Sequence, residues 1–387
     1  MRSGEELAEA FAAAYPELAE VAAAAPDPVY LVGGAVRDLL LGRGRADIDL
    51  AVEGDPAELA TALGAEILES HPRFGTLKVV FGGEGPADSD PRLGNLAIAR
   101  RGEVLDIAAA RRESYARPGA LPTVDLGAPI RTDLARRDFT LNAMAVPLAD
   151  PRELLDPYDG QADLEAGALR AIHAGSFVDD PTRAIRAARY AARFGFGVEP
   201  GTRELLQATD LETITPARRA AELRKLAAEE TAVRALELLA GWGLVEPRAG
   251  GESFALARDV NRLMASPPWS EEADRAEAIL AAALGPWTGD DEALADARPA
   301  RPSEGVALAR GRDPIELVLA RAAGAEWLDD WLGWREESLD ITGADLTAAG
   351  LSGPAIGEAL ERALRAKLDG EAPTRAAQLR LALEPPR

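Results

Sequence analysis

The sequence contains no cysteine and only two histidines, His71 and His173. The absence of cysteine excludes a disulfide framework and every zinc site that depends on thiolate ligands. Two histidines are too few for a metal centre built from several imidazoles. They also exclude an appended phosphohydrolase domain of the histidine–aspartate type.

Long hydrophobic runs are also missing. No stretch of about 18 consecutive apolar residues predicts a membrane span, and residues 1–6 lack the apolar core of a signal peptide. Apolar residues nevertheless make up 47% of the 387 residues, which is enough for burial in two or more domains. We therefore expect a cytoplasmic protein with no membrane partner.

Positive charge is scarce relative to negative charge. The chain carries 43 Lys and Arg against 65 Asp and Glu, a formal net charge of −22, whereas general nucleic-acid-binding proteins usually have a basic surface. Arginine outnumbers lysine 40 to 3, a bias typical of GC-rich coding sequences, so the choice of arginine over lysine is not informative. What matters is where positive charge clusters against the acidic background.

The most informative segment predicts a buried strand, a Gly-Gly turn, a helix and a second strand that carries two carboxylates. Gly33 and Gly34 open the helix, where free backbone N–H groups and the helix dipole favour phosphate, and Arg37 adds positive charge. Asp47 and Asp49 are two residues apart, so their side chains point to the same face of a strand. Two carboxylates this close repel each other, and a divalent cation such as Mg²⁺ removes the penalty. Together these features predict a nucleotidyl-transfer site, although each alone would more often be structural.

The pattern of apolar residues divides the chain into a mixed α/β part and a helical part. An amphipathic, Ala-rich helix is predicted over 5–24, and residues 82–91, acidic and rich in turn formers, predict a solvated hairpin insert. After Pro151 helical periodicity dominates, with a loop predicted over 285–304. The expected fold class is α+β, an N-terminal mixed α/β head followed by a helical body. The β-rich runs occur at 29–32, 47–52, 76–81, 95–99 and 103–108.

A second informative segment is predicted to be a helix that begins near Pro181. No acidic residue follows Asp180 until Glu199. Like charges at helical spacing weaken a helix by about 0.2–0.5 kcal/mol per pair, so an unpaired arginine stripe favours an anion-binding face. The alternative is a solvated face, or arginines paired with acids of another helix. The arginines on this half of the helix are Arg183, Arg186, Arg189 and Arg193.

Asp180 and Arg183, one helical turn apart, present a hydrogen-bond acceptor beside a donor fork. Cytosine offers an N4 amino donor beside its N3 acceptor, and adenine offers an N6 amino donor beside N1. Uracil and guanine place an acceptor where the amino group should be. This pair therefore predicts selection of CTP and ATP over UTP and GTP without a nucleic-acid template.

Three motifs follow one another in the chain. They are Gly-Gly-Ala-Val-Arg-Asp with Asp-Ile-Asp (33–38 and 47–49), Arg-Arg-Asp-Phe-Thr-Leu-Asn-Ala (136–143) and Asp-Asp-Pro-Thr-Arg (179–183). These motifs resemble those of the class II tRNA nucleotidyltransferases, the CCA-adding enzymes of the polymerase-β-like nucleotidyltransferase superfamily. The resemblance covers 25–247 well and 340–380 moderately, whereas 250–335 diverges.

The resemblance implies three domains: a nucleotidyltransferase head over 1–147, an all-helical neck with the base-reading helix over 148–250, and a helical body and tail that binds tRNA over 251–387. It implies template-independent addition of C and A nucleotides to the 3′ end of tRNA, with release of pyrophosphate. The implied substrates are tRNA, CTP and ATP, and the implied cofactor is Mg²⁺, as two ions that act in two-metal nucleotidyl transfer.

The same resemblance assigns roles to individual residues. Asp47 and Asp49 are implied to bind the Mg²⁺ ions, and Asp180 with Arg183 to read the base. Asp106 is either a third active-site carboxylate or an ordinary structural acid. Two departures from the family pattern are Asp179, where the family usually has Glu, and an insert over 82–94. The residues implied to contact the nucleotide are Gly34, Arg37, Arg137, Asp180, Arg183, Arg186 and Arg189.

Three alternative functions share some of these features. A tRNA nucleotidyltransferase that adds only CC or only A shares nearly all of them. A bacterial poly(A) polymerase shares the head motifs but typically carries a basic C-terminal extension, whereas this C-terminal segment is mixed in charge. An RNA-binding module without catalysis is disfavoured because both Asp47 and Asp49 are retained. The sequence leaves open which nucleotides are added and which oligomeric state the chain adopts.

Overall fold

A computed structural model describes residues 3–43, 45, 47–81, 102–248, 253–286 and 288–384. The chain forms two compact units. The first comprises Met1–Leu226 and Leu238–Leu244, and the second comprises Ala227–Glu237 and Val245–Arg387. The first unit therefore takes in the predicted head together with most of the predicted neck. The domain boundaries after residues 147 and 250 stay a prediction.

A six-stranded sheet forms the centre of the first unit. Its strands are β1 (Val29–Val32), β2 (Ile48–Val52), β3 (Glu66–His71), β4 (Thr76–Phe81), β5 (Glu103–Ala109) and, later in the chain, β8 (Ala145–Pro147). They lie in the order β3-β4-β5-β2-β1-β8, with β2 and β5 parallel and the other neighbours antiparallel. Two small ribbons pair β6 (Arg111–Ser114) with β7 (Thr123–Leu126), and β9 (Ala168–Leu169) with β10 (Gly197–Val198).

Helices make up most of the remaining described chain. Those that begin in the first unit are α1 (Gly4–Ala14), α2 (Leu18–Ala24), α3 (Gly34–Leu41), α4 (Pro56–Ala62), α5 (Ile130–Ala135), α6 (Gly160–Ala166), α7 (Ser176–Asp179), α8 (Thr182–Phe194), α9 (Pro200–Gln207) and α10 (Pro216–Ala227). Those that begin in the second unit are α11 (Ala232–Gly241), α12 (Ser253–Leu263), α13 (Arg275–Leu284), α14 (Gly289–Asp296), α15 (Pro302–Ala309), α16 (Pro314–Ala322), α17 (Trp327–Trp334), α18 (Gly343–Ala348), α19 (Pro354–Leu368) and α20 (Arg375–Leu383). None of the helices in the described ranges has both the length and the apolar character that crossing a membrane requires. The predicted α+β fold class is confirmed.

The β1–α3–β2 segment places the predicted motif at the centre of the sheet. Leu31 and Leu50 on the paired strands are almost completely buried, which anchors both strands in the core. Gly33 has φ +67°, a left-handed conformation that side chains rarely adopt, so a glycine is needed where β1 turns into α3. Asp47 therefore lies directly before β2, and Asp49 lies on it.

The single helix predicted over 5–24 is wrong, because the structure has two helices there. α1 ends at Ala14 and α2 begins at Leu18. Pro16 lies between them, and proline has no backbone N–H with which to continue the hydrogen bonds of α1. Tyr15 before it is completely buried and anchors the corner.

The loop predicted over 285–304 is also wrong in part. Helix α14 occupies 289–296 and begins with a capping box, in which Thr288 and Asp291 bond to each other's backbone N–H groups. Strand β3 was not predicted because five of its six residues are exposed, so it shows no alternation of apolar and polar residues. The insert over 82–94 and the strand run at 95–99 lie outside the described residues.

Candidate active site

A cleft of about 890 Å³ opens over one end of the central sheet in the first unit. It brings together side chains from strands, from the 136–143 motif and from helix α8. Asp106, the candidate third carboxylate, also lines it. All nine residues predicted for the site lie in its wall: Gly34, Arg37, Asp47, Asp49, Arg137, Asp180, Arg183, Arg186 and Arg189.

A row of charged side chains runs across the sheet at the floor of this cleft. Asp49 on β2 is the register partner of Asp106 on β5, and Asp106 is in turn the partner of Lys78 on β4. Register partners on neighbouring strands project to the same face, so these side chains are neighbours. Lys78 Nζ lies 3.4 Å from Asp106 Oδ2. The position of Asp106 beside Asp49 favours its interpretation as a third active-site carboxylate.

The electrostatic environment of Asp49 is unfavourable for a bare carboxylate. Burial raises the pKa of Asp49 to about 6, and repulsion by Asp106 and Asp47 adds to the shift. Arg137 and Lys78 oppose the shift only in part. A cation placed among these carboxylates would remove the repulsion and stabilise the ionised form of Asp49.

The donor set fits a Mg²⁺ ion that is shared with a substrate. Within the part of the chain that the structure describes, no three acidic or imidazole side chains already converge closely enough to hold an ion by themselves. Mg²⁺ does not need such a cage, because it usually keeps several waters and binds through one or two carboxylates together with substrate phosphates. Asp47 and Asp49 in an open cleft supply that number of ligands.

Replacing Asp49 with asparagine is expected to stabilise the metal-free protein at neutral pH. The folded-state pKa of about 6 lies above the unfolded value of ~3.9, so the ionised carboxylate costs up to about 2–3 kcal/mol of unfolding free energy at pH above 6. The gain should shrink as the pH falls from 6 towards 4, because the wild-type folded state then binds a proton. Thermal unfolding in EDTA at pH of about 5 and about 8 measures this difference. An equal increase in Tm at both pH values would contradict the assignment.

The predicted phosphate-contacting residues lie where α3 begins. A Cβ atom on Gly33 would lie 2.8 Å from Arg137 Nη1, so a side chain there would displace this arginine. Arg137 is held by Asp133, whose Oδ2 accepts from Arg137 Nη2 at 3.0 Å. Arg37 is buried and donates to Asp38 and to Asn142 Oδ1. The two predicted phosphate-contacting arginines are therefore fixed by carboxylate and amide partners at the edge of the cleft.

The predicted base-reading pair lies at the start of α8. Asp180 Oδ1 accepts from the backbone N and the Oγ1 of Thr182, at 3.1 and 2.7 Å. Arg183 is buried, and its Nη1 and Nη2 donate to Ser176 Oγ and to the carbonyl of Arg136, at 2.8 and 2.6 Å. A guanidinium has five N–H groups, so these two bonds leave others for a ligand. The pair is thus rigidly held at the cleft wall.

The interpretation of the arginine stripe as unpaired is wrong for Arg186. Its Nη2 lies 2.6 Å from Asp138 Oδ2, and its Nε donates to the same oxygen at 2.8 Å. Asp138 belongs to the 136–143 motif, so the partner comes from a different segment, although not from a helix as the alternative interpretation stated. Arg186 and Arg189 still line the cleft. Charge on this face is therefore partly neutralised before any ligand binds.

Sequence reasoning missed two groups of contacts that shape the site. Asp133 accepts from Arg136 and Arg137, and Glu113 accepts from Arg136 at 2.9 Å. Arg218, on α10, contacts Asp180 at 3.1 Å. Asp133 lies shortly before the 136–143 motif, so it could have been suspected as a partner of the arginines there. Nothing in the sequence signals the contact of Arg218, which is 38 residues away from its partner.

Part of the chain matches a known protein family. Residues 29–170 match the model of the poly A polymerase head domain. This interval contains the carboxylates Asp47, Asp49 and Asp106 and the arginine Arg137. The segment with Asp180 and Arg183 lies beyond its end.

The chain is similar to tRNA-processing enzymes in sequence and in fold. It is 40% identical over 235 residues to the A-adding tRNA nucleotidyltransferase of Halalkalibacterium halodurans, a match that covers 58% of this chain. The chain spans 50% of the length of that relative and 24% of the length of two other A-adding relatives. It is 34% identical over 356 residues to the CC-adding tRNA nucleotidyltransferase of Deinococcus radiodurans, which covers 87% of this chain and 84% of that enzyme. The Thermotoga maritima CCA-adding enzyme complexed with tRNA has a TM-score of 0.73 to this structure, with 26% identity over 99% of this chain and 98% of that one.

Proposed function

Because the chain belongs to the class II tRNA nucleotidyltransferases of the polymerase-β-like superfamily, we propose that it is an enzyme that adds C and A nucleotides to the 3′ end of tRNA. CTP and ATP are the substrates, no template is used, and pyrophosphate is released. One observation carries the proposal: a single cleft is lined both by Asp47 and Asp49 and by Asp180 and Arg183. The first pair suits phosphoryl chemistry and the second suits recognition of an amino-bearing base edge.

In the proposed reaction, the tRNA 3′-hydroxyl attacks the α-phosphate of the nucleotide in line. A new O–P bond forms, the bond between the α- and β-phosphates breaks, and the hydroxyl proton is released. Asp47 and Asp49 are the residues that would hold two Mg²⁺ ions. When bound, Mg²⁺ activates the hydroxyl and neutralises charge on the triphosphate.

The remaining cleft residues position the nucleotide in this proposal. Arg37 and Arg137, with the backbone at Gly34, face the triphosphate at the start of α3. Arg186 and Arg189 supply positive charge on α8. Because Arg186 is paired with Asp138, its orientation is fixed before the nucleotide binds, which lowers the entropy cost of binding.

Replacing Asp180 with alanine is expected to reduce base selectivity more than it reduces turnover. The carboxylate accepts only, so it favours an exocyclic amino group and disfavours the carbonyl oxygens of UTP and GTP. Loss of this discrimination corresponds to about 1–3 kcal/mol. Steady-state kcat/KM for the four nucleotides on a tRNA acceptor measures it, with Asp125→Ala on the exposed β7 as the control. An unchanged selectivity ratio would eliminate Asp180 as a base-reading residue.

The relatives also suggest a narrower activity. One relative is an A-adding enzyme and another is a CC-adding enzyme, so addition of only A or only CC is the second candidate. Both activities use the same metal-binding carboxylates and the same cleft. They differ from the proposed activity in which nucleotide is used and in which incomplete tRNA ends are extended.

The RNA partner can be tested by comparing structured and unstructured acceptors. A protein with a net charge of −22 attracts RNA weakly at long range, and A-form RNA is recognised mainly by shape and backbone contacts. We therefore expect a minihelix of the tRNA acceptor and TΨC arms to be extended far more efficiently than an unstructured oligonucleotide with the same 3′ sequence. Both are assayed at one fixed salt concentration, since phosphate contacts are salt-dependent. Equal efficiency would favour a polymerase that acts on general RNA ends, such as a poly(A) polymerase.

A further inference from the structure

Arg218 on α10 bridges two parts of the cleft wall that are distant in sequence. Its Nη2 lies 3.1 Å from Asp180 Oδ1, and its Nη1 donates to the carbonyl of Gly119 at 2.7 Å. The side chains of Arg218 and Asp180 are 28% and 24% exposed, so the ion pair is partly shielded from water. Arg218 does not itself line the cleft. It therefore contacts, from outside the cleft lining, the carboxylate that is proposed to read the base.

The segment that contains Gly119 packs closely against the backbone at Val178 and at Thr213. The Gly119 N–H donates to the carbonyl of Val178 at 3.2 Å. Gly119 has φ +67°, and a Cβ atom there would lie 2.6 Å from the carbonyl oxygen of Thr213. Only glycine fits such a close approach of two backbones. Tyr115 and Pro122, on either side of Gly119, both line the cleft, so the position of Gly119 sets the position of one cleft wall.

The side-chain hydrogen bonds of Asp180 within the described part of the chain are all made by one oxygen of its carboxylate. Thr182 N, Thr182 Oγ1 and Arg218 Nη2 converge on Oδ1. Among the described residues no donor contacts Oδ2, which leaves this oxygen as the acceptor for a ligand. Three donors on one oxygen restrict rotation of the carboxylate.

We propose that Arg218 is a specificity-positioning residue: it orients Asp180 and fixes the Tyr115–Pro122 wall, so that an amino-bearing base is selected without contact between Arg218 and the nucleotide. The inference rests on the proposed function, because it concerns how that site chooses CTP and ATP. Without Arg218, the carboxylate keeps only its local bonds to Thr182 and can rotate to accommodate other base edges. The metal-binding carboxylates lie on different elements and are not affected.

The first test compares variants of two neighbouring arginines. Arg218→Met removes the bridge, whereas Arg219→Met removes the same charge one residue later, where the partner is the exposed Glu212. We expect kcat/KM for UTP and GTP, relative to CTP and ATP, to rise roughly tenfold in Arg218→Met and to stay unchanged in Arg219→Met. Arg218→Lys, which keeps the charge but cannot make both bonds at once, should fall between wild type and Arg218→Met.

The second test asks whether Arg218 acts through Asp180. In an Asp180→Ala background, Arg218→Met should cause no further loss of selectivity, because the residue it positions is already absent. Selectivity unchanged in Arg218→Met, or additive losses in the double variant, would overturn the inference. If Arg218→Met does not fold, the same ratio measured for Arg218→Lys decides the question. A wild-type protein that extends no tRNA acceptor would instead refute the proposed function, and the inference would fail with it.

Discussion

Replacing Asp49 with alanine is expected to lower nucleotide incorporation by on the order of 10³-fold or more, without loss of stability. The reason is that this carboxylate has opposite effects on activity and on stability. It is proposed to hold the metal ion that assists both the attacking and the leaving oxygen, so its removal should reduce kcat. In the metal-free protein it is partly buried and is repelled by Asp106 and Asp47, so its removal relieves repulsion.

The measurement is single-turnover incorporation of a labelled nucleotide into a tRNA acceptor, together with thermal unfolding in EDTA. Asp125→Ala, on the exposed strand β7 of the same unit, is the matched control and should retain wild-type activity. Activity of Asp49→Ala within tenfold of wild type would show that this carboxylate does not hold the catalytic metal. A large fall in Tm would show that Asp49 is structural instead.

Replacing Asp138 with alanine is expected to destabilise the protein by about 2–3 kcal/mol. Its Oδ1 accepts from the backbone N–H of Phe139 and from Asn142 Nδ2, at 2.8 and 2.9 Å, and its Oδ2 pairs with Arg186. Burial raises the pKa of Asp138, but the attraction of Arg186 and the bond from Asn142 outweigh it, so the pKa lies below its usual value. Removing one partner of such a pair costs ~3–5 kcal/mol when both are buried. The loss expected here is smaller, about 2–3 kcal/mol, because the side chain of Arg186 is 37% exposed.

Equilibrium unfolding in urea measures this loss, and Asp138→Asn is the control. Asparagine keeps an acceptor for the Phe139 N–H but carries no charge for Arg186, so it should be intermediate in stability. The same series has a functional readout, because Arg186 freed from Asp138 should bind the nucleotide less specifically and raise its KM. A change of less than ~0.5 kcal/mol in Asp138→Ala would place it among ordinary surface substitutions and contradict the proposed link between the 136–143 motif and α8.

The sequence was sufficient to predict the part of the fold that carries the motifs. The run before Gly33 is continuously apolar, and the run after Asp47 is apolar except for Asp49. Both became central strands because buried strands need apolar residues on both faces. Strand β3 could not be recognised in the same way. It lies at the sheet edge and is largely exposed, so its pairing with β4 depends on tertiary structure and not on its own pattern.

The candidate site was predictable in its members but not in their partners. Gly34, Arg37, Asp47 and Asp49 follow from local spacing, and Asp180 and Arg183 from their position one turn apart. The pairing of Arg186 with Asp138, over 48 residues, and of Arg218 with Asp180, over 38 residues, depends on which segments the fold brings together. Such contacts leave no periodic signal in a single sequence, and they determine which charges remain for a ligand.

The central claim is that this cleft extends incomplete tRNA 3′ ends with C and A. The most direct measurement incubates purified protein and Mg²⁺ with tRNA that lacks the whole CCA end, the last two nucleotides, or only the terminal A, each with a single labelled nucleoside triphosphate. The proposed activity predicts incorporation of C on the first two acceptors and of A on the third, with little incorporation of U or G. Extension of all three acceptors by any of the four nucleotides, or extension of none, would contradict it.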